Sequence, residues 1–529
     1  MSNFMQSPCD EVVIRSRGAI APCARASAPW ILAAAILGSS MAFIDGTVVN
    51  VALPALQSSL SATVVDVQWV VEAYSLTLSA FLLMGGALGD RYGRRRIFVV
   101  GVALFSFASA WCGASANIRQ LILARALQGI GAALLVPGSL AIISASFRDE
   151  DRGRAIGTWS GFTAITAAIG PVIGGWLIEH ISWRMVFFIN LPLAIIVLLI
   201  SFYRVPESRD EKGSEQLDWL GALVATIGLG SLVYGLIESS RLGFGHVAVL
   251  TALIGGVFLL LAFLFVEARA RNPMLPLVLF RSPDFTGANL LTLLLYSALG
   301  GTLFFLPLNL IQVQHYSATA AGASLLPFVL ILFLLSRWSG GLVQRYGAKL
   351  PLIIGPIIAA IGFALFVVPG VGADYWSKIF PATAVLGIGM AVSVAPLTTT
   401  VMSAVPRNRV GVASGVNNAV SRAAGLLAIA VLGIVMLKEF NRSLAQHLSQ
   451  AQVPAAIQRS LQEQRINLAA ATLPKDIAPP MREMLRKAID ESFVHGFRTV
   501  MSIGACLALA SGVASFLFIS GHPKSRHDR

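Results

Sequence analysis

Three charged side chains lie inside stretches apolar enough to cross a bilayer. Asp45 sits in W30-ILAAAILGSSMAFIDGTVVNVALP, Glu72 in Q68-WVVEAYSL and Arg125 in L121-ILARALQGIGAALLVPGSL. A charge at the centre of a membrane helix costs roughly 2.5 kcal/mol or more on insertion scales, so it must face a partner or a wet cavity. At about 1.5 Å of rise per residue, Asp45, Glu72 and Arg125 lie roughly 12, 8 and 9 Å from the outer ends of their helices. The three therefore share a depth in the outer half. Two acids near one arginine can form a proton site, because protonating an acid dissolves the ion pair and frees the arginine. Glu72 also lies near enough to its helix end to reach the headgroup region.

The elements that must position these residues are membrane helices. The chain has 529 residues, of which 56% are hydrophobic and 12% charged, and its mean hydropathy is +0.75. Soluble domains carry about 25% charged residues, so much of this apolar surface faces lipid. A spanning helix needs about 20 apolar residues. Such runs fall near 28–53, 67–90, 96–115, 118–145, 153–179, 184–204, 217–237, 247–267, 284–306, 318–342, 349–370, 376–402, 410–437 and 496–520. They predict an all-α polytopic protein of fourteen spans, with the third and fourth separated only by the short connection WCGASANIR.

The net charge of +13 serves topology rather than nucleic acid. With the N-terminus inside, the inner segments hold 23 Lys and Arg against four in the short outer loops. Positive charge marks the cytoplasmic side, so both termini are expected there. The first apolar run has no short core with a cleavage site, and reads as a retained span. The segment 438–495 is the one sizeable polar stretch, predicted as short outer-face helices broken by proline. Cys9, Cys23, Cys112 and Cys506 are scattered and show no metal or disulfide spacing. All seven histidines fall in loops or termini, which argues against an intramembrane histidine metal site. There is no G-x-x-x-x-G-K-[ST] and no soluble domain to hold a nucleotide, which excludes a primary pump. No cofactor is expected.

Three motifs refine the picture. Between spans two and three lies G85-GALGDRYGRRR, in which Asp90 sits at the inner membrane edge ahead of an arginine run. A weaker copy, GGLVQRYGAKL, runs from Gly340 to Leu350, with Gln344 in the place of Asp90. Such internal repeats are how many secondary transporters are built. Two six-span halves with two spans inserted between them account for fourteen. In span five, A168-IGPVIGGWL combines Pro171, which removes a backbone donor, with Gly170, Gly174 and Gly175, which allow close helix approach. Arg422, in N417-NAVSRAAG, lies near the middle of span thirteen with no obvious acid in its half. It either pairs with Asp45, caps carbonyls or receives an anionic substrate group. Trp69, Tyr74, Tyr296, Phe304 and Phe305 are the aromatics available to line a cavity or to pack.

Together these pieces resemble the major facilitator superfamily and, more narrowly, its fourteen-span drug:proton antiporters. DGTVVNVALP resembles that branch's first-span motif, GGALGDRYGRRR the superfamily loop motif, LARALQGIGAA the fourth-span motif and GPVIGGWL the antiporter motif. SWRMVFFINLP (Ser182 to Pro192) and RNPMLPLVLF (Arg271 to Phe280) also look like this branch. The resemblance implies a major facilitator fold. Its parts are a cytoplasmic tail 1–27, a six-helix half 28–204, an inserted pair with its loops 205–283, a second half 284–520 and a cytoplasmic tail 521–529. It implies export of hydrophobic, often cationic compounds across the bacterial inner membrane in exchange for protons, by alternating access. Asp45, Arg125 and, less directly, Glu72 would carry proton coupling. Gly86, Asp90, Arg91, Gly93 and Arg94 would form the cytoplasmic gate, and Gly170, Pro171, Gly174 and Gly175 the hinge. Arg422, Tyr74 and Phe304 would border the substrate cavity. The expected partners are a small-molecule substrate, protons and the lipid bilayer, with a periplasmic adaptor and outer-membrane channel as further candidates. Competing readings are a proton-coupled exporter of a metabolite or siderophore, an uptake symporter, and a transport-inactive sensor or scaffold.

Overall fold

In the computed structural model of the chain, the structure describes residues 27–147, 149–209, 219–270, 273, 275–406, 409–451, 453–473 and 477–520. The predicted tails 1–27 and 521–529 therefore lie, but for Ser27, outside the described residues, as do Cys9, Cys23, Arg271 and Met274. Among the described residues the ordered elements are helices throughout.

The apolar runs fold as α1 (Ala28–Ser59), α2 (Val64–Tyr92), α3 (Arg94–Ala114), α4 (Ile118–Ser146), α5 (Asp149–His180), α6 (Asn190–Arg204), α7 (Trp219–Leu242) and α8 (Val247–Arg269). The series continues with α9 (Pro283–Leu308), α10 (Leu326–Tyr346), α11 (Lys349–Leu365), α12 (Phe380–Ser403), α13 (Val410–Gln450) and α14 (Pro479–Phe518). Twelve helical segments among the described residues are long and apolar enough to cross a membrane. The second run makes a thirteenth only if Val64–Leu82 and Met84–Tyr92, which meet at 47°, count as one span. At 17 residues, α11 is a shorter apolar helix that does not meet the same length.

Local chemistry sets the boundaries. Asn117 caps α4 by accepting from the Gln120 amide at 3.0 Å, a preferred N-cap arrangement. Arg184 donates to the carbonyls of Gly113 and Ser115 at 3.0 and 2.7 Å, closing the C-terminal end of α3. The short connection between the third and fourth runs is thus pinned from both sides. The segment 438–495 departs from the expected short pieces. No proline or glycine interrupts residues 438–450, so α13 continues unbroken to Gln450, and α14 starts at Pro479 with its prolines in the first turn. Only Ala455–Glu463 and Arg465–Ala470 between them are short helices.

Two compact units emerge. The first comprises the described residues of Met1–Val49, Val70–Thr226 and Ala270–Met274. Its core joins Ile31, Met41, Tyr74, Leu78, Phe98, Phe105, Leu135 and Val197, all buried. Glycines bring its helices close. A side chain at Gly85 would run into the backbone of Ala133, and one at Gly131 would meet the Phe105 amide at 2.5 Å. The second unit comprises the described residues of Asn50–Trp69, Ile227–Arg269 and Leu275–Arg529. There α9 packs on α13 and α14, and α12 on α10 and α11. These units do not follow the expected divisions at 204 and 284. The ends of α1 and α2 around residues 50–69 and most of the inserted pair group with the second unit.

Candidate functional site

Inside the first unit, α1 brings Asp45 against Arg125 of α4. Both are almost fully buried, at 0% and 1% exposure. Arg125 Nη1 donates to Asp45 Oδ2 at 2.5 Å and to Gln128 Oε1 at 2.7 Å, and its Nε donates to the Val70 carbonyl of α2 at 3.1 Å. Gln128, one turn along α4 from Arg125, donates in turn to Asp45 Oδ1 at 2.9 Å. The guanidinium lies 4.2 Å over the Tyr74 ring and 5.9 Å from that of Phe187. Beyond Gln128, the Ser109 hydroxyl stands 3.3 Å from its amide nitrogen and accepts from Asn190 Nδ2 at 3.0 Å. Ser109 itself donates to the Phe187 carbonyl at 2.8 Å. Five helical segments thus satisfy one buried ion pair. A buried pair is costly to desolvate, and removing one partner leaves an uncompensated charge worth about 3–5 kcal/mol. Gln128 contacts both members of the pair, and the Val70 carbonyl holds Arg125 alone.

The depth estimate placed Glu72 with these two, but no hydrogen bond or ion pair among the described residues joins it to them. Glu72 is fully buried, and neither carboxyl oxygen has a hydrogen-bond partner. The reason is azimuth. Val70 and Tyr74, the two α2 residues that touch Arg125, flank Glu72 at two-residue spacing, and a helix turns about 200° over two residues. Glu72 therefore points to the opposite side of α2.

The glycine-proline motif expected to form the hinge packs on the same stretch of α1. A side chain at Gly170 would meet Thr47 Oγ1 at 2.7 Å, and one at Gly174 would run into Val48. Pro171 and Gly175 are buried, and α5 continues through Pro171. Gly170 and Gly174 thus seat α5 on the residues that follow Asp45. Close by, Thr166 donates to Ser40 at 3.2 Å and Trp159 to Ser39 at 3.0 Å.

At the other end of the unit, α2 stops at Tyr92 and Gly93 turns the chain with φ of +111°. Positive φ suits glycine, which has no Cβ to clash. A side chain there would also press on the Glu207 carboxylate at 2.6 Å. Arg94 pairs with Asp90 at 2.8 Å. Glu207 accepts from the Arg95 amide at 3.1 Å and lies 3.7 and 3.6 Å from the Arg95 and Arg96 side chains. An acid at a helix start complements the helix dipole. Arg91 is exposed and lies 5.4 Å from the Tyr92 ring centre. At Gly86 a side chain would meet only Pro137, at an ordinary 3.7 Å, so the tight approach belongs to Gly85.

The residues expected to border a cavity are placed differently. Tyr74 is buried beneath Arg125, and Phe304 is buried in the second unit, edge-on to Phe305 at 4.9 Å. Both are packing residues here. Arg422 is half-buried on α13. Its neighbour Ser421 joins Tyr296, Thr398, Met402, Asn417 and Asn418 around a polar cavity of about 120 Å³ within the second unit. Sequence reading missed Gln128, Ser109, Asn190 and Glu207. The i+3 spacing of Gln128 from Arg125 was the one available signal, since it puts both on one helix face.

Among the described residues the protein is helical throughout, with a satisfied ion pair buried in its first unit. The family model described as "Major Facilitator Superfamily" matches residues 35–429, and the chain belongs to that family. It is 32% identical over 493 residues to "Multidrug resistance protein Stp" of Mycobacterium tuberculosis, covering 92% of this chain and 90% of that protein. It is 32% identical over 508 residues to "Tetracenomycin C resistance and export protein" of Streptomyces glaucescens, covering 94% and 93%. A third relative, "Methylenomycin A resistance protein" of Bacillus subtilis, is 33% identical, covering 80% and 91%. Among solved structures, a bacterial homologue of the human lysosomal transporter Spinster superposes with a TM-score of 0.67 at 17% identity, covering 94% of this chain and 98% of that one.

Proposed function

We propose that this chain is a secondary active exporter of hydrophobic or cationic toxic compounds, driven by protons entering across a bacterial inner membrane. The observation that carries this reading is the Asp45–Arg125–Gln128 network, the buried charge pair of the first unit with a route to neutralisation. In the charged state Arg125 is clamped between Asp45, Gln128 and the Val70 carbonyl. Protonated Asp45 keeps its bond from Gln128 but releases the guanidinium, so α1 and α4 can shift relative to each other. The Gly170 and Gly174 contacts carry that shift from α1 to α5. A cationic substrate competes with Arg125 for the deprotonated acid, which makes proton and substrate occupancy mutually exclusive. Glu72 is a second buried acid, turned away from the pair. The fourteen-span arrangement is part of the proposal, with α2 crossing as one bent span, α11 as a short one, and both chain ends cytoplasmic. Export activity among the relatives supports the direction of transport.

The test is transport in proteoliposomes under an imposed pH gradient, using a panel of lipophilic cations and neutral antibiotics. Uptake into everted liposomes that follows the gradient and is lost in Asp45→Asn supports the reading. Transport indifferent to the gradient, or unchanged in Asp45→Asn, refutes it and brings forward a facilitator or metabolite exporter.

A further inference from the structure

In the second unit, the segment between α13 and α14 closes on the ends of two other helices through a chain of polar contacts. Gln57 of α1 is buried, and its Nε2 donates to the Asn467 carbonyl at 3.1 Å. Its Oε1 accepts from Gln312 Nε2, just beyond α9, at 2.9 Å. Arg486 of α14 then forks. Nη1 donates to the Ala469 carbonyl at 2.9 Å and Nη2 to the Gln312 carbonyl at 2.8 Å, while Asp490, one turn on, lies 3.2 Å away. Between the two bonded carbonyls sits Leu468, fully buried with φ of +52°. A bulky residue rarely adopts that conformation, and strain of this kind persists only where the surroundings enforce it. The turn is therefore held in place rather than resting there by its own preference.

We propose that this segment is a latch. Asn467–Ala469 and Arg486 pin the ends of α1 and α9 together in the structure seen here, and each transport cycle must release Gln57. Two features point to release rather than permanent packing. Four of the bonds end on backbone carbonyls or amide side chains, so they can be traded for water without leaving a buried charge unpaired. The strained Leu468 relaxes when the turn lets go, which offsets part of that exchange. Arg486 is the positioning residue, since its planar fork holds two carbonyls in fixed directions, which an ammonium on a flexible stem does less rigidly. The latch acts on α1, the helix that carries Asp45, so it ties closure at this end of the helix to the state of the buried pair. It rests on the transporter character of the family and not on the identity of the substrate.

Opening is read directly by thiol labelling. Cys9, Cys23 and Cys506 are replaced by serine, the buried Cys112 is kept, and Ala469→Cys or Ala471→Cys provides a buried reporter. Labelling by a membrane-impermeant maleimide is then followed by mass spectrometry in liposomes. The reporter is expected to react slowly in the parent, about tenfold or more faster with Arg486→Ala, and at an intermediate rate with Arg486→Lys, because two charge-assisted bonds are lost or weakened. In a companion pair, Gln57→Cys with Asn467→Cys, a short cleavable bis-thiosulfonate is expected to stop transport of a lipophilic dye cation, and reductant to restore it. Equal labelling rates in all three proteins, or full transport by the cross-linked pair, would overturn the latch. Labelling reads opening and not efflux, so a parent that labels as expected but moves no dye speaks against the export reading alone.

Discussion

The two loop motifs, Gly86–Arg96 and Gly340–Leu350, share a backbone and differ in charge. Each ends its helix on a glycine of positive φ, +111° at Gly93 and +74° at Gly347. Each lays an arginine 5.4 Å from the following tyrosine ring, Arg91 on Tyr92 and Arg345 on Tyr346. The differences start one residue away. The first copy pairs Asp90 with Arg94, where the second has Gln344 and Ala348. The first is fastened by Glu207, beyond α6, and in the second Lys349 lies 4.9 Å from the Phe516 ring of α14. The turn is what the fold requires of both copies, while the ionic network is an addition to the first. The same contrast runs deeper into the molecule. Between α1 and α4 the first unit buries Asp45 on Arg125, whereas between α9 and α13 the second unit joins the neutral set Asn289, Thr292 and Asn417.

The sharpest way to break this contrast is at the buried pair. Arg125→Ala should abolish transport and cost about 3–5 kcal/mol of stability, because Asp45 is left charged and buried. Pairing Asp45→Asn with Arg125→Gln should recover most of the stability but none of the transport. Thermal melts read alongside transport assays would check both. Removing the neutral Asn417 by Asn417→Ala should cost much less, on the order of 1–3 kcal/mol. Next in size are the glycines. Gly93→Ala and Gly347→Ala both pay for positive φ, roughly 1–2 kcal/mol each. Gly93→Ala should be the more damaging of the two in melts, since it also collides with Glu207. Asp90→Asn removes an i,i+4 pair worth about 0.3–0.5 kcal/mol, so melting should barely move. If the first loop is a gate, transport nevertheless falls severalfold. The smallest effect is expected when the ionic pair is built into the second loop, by Gln344→Asp with Ala348→Arg. Melting and transport should then change within the scatter of surface pairs, about 0–1 kcal/mol. A large gain or loss there would show that the two loops are functionally alike.

Much of the architecture was legible because membrane helices announce themselves by length and hydropathy, and because glycine, proline and arginine punctuate them. The Asp45–Arg125 contact was legible for a related reason: two opposite charges at one depth in an apolar medium have few other partners. Depth carries no azimuth, however, and Glu72 was misplaced for that reason. A two-residue offset on α2 turned it away from the pair that Val70 and Tyr74 touch. The supporting polar residues were harder still. Ser109 and Asn190 are ordinary small polar residues on their own helices, and only the fold sets them behind Gln128. Tyr74 and Phe304 were read as cavity residues because aromatic rings serve walls and cores equally well. The extension of α13 to Gln450 was readable from the lack of breakers before Pro454, and that of α14 from the lack of proline after Pro480, but the prolines of the segment argued for short separate helices.

The central claim is that Asp45 exchanges a proton for substrate. Its most direct test is proton release on substrate binding, followed with a pH indicator in weakly buffered detergent solution, for the parent and for Asp45→Asn. A lipophilic cation should release protons from the parent, and Asp45→Asn should release fewer by the share that Asp45 carries while still binding the compound. Release of the same number of protons from both proteins would contradict the account and move the coupling site away from Asp45.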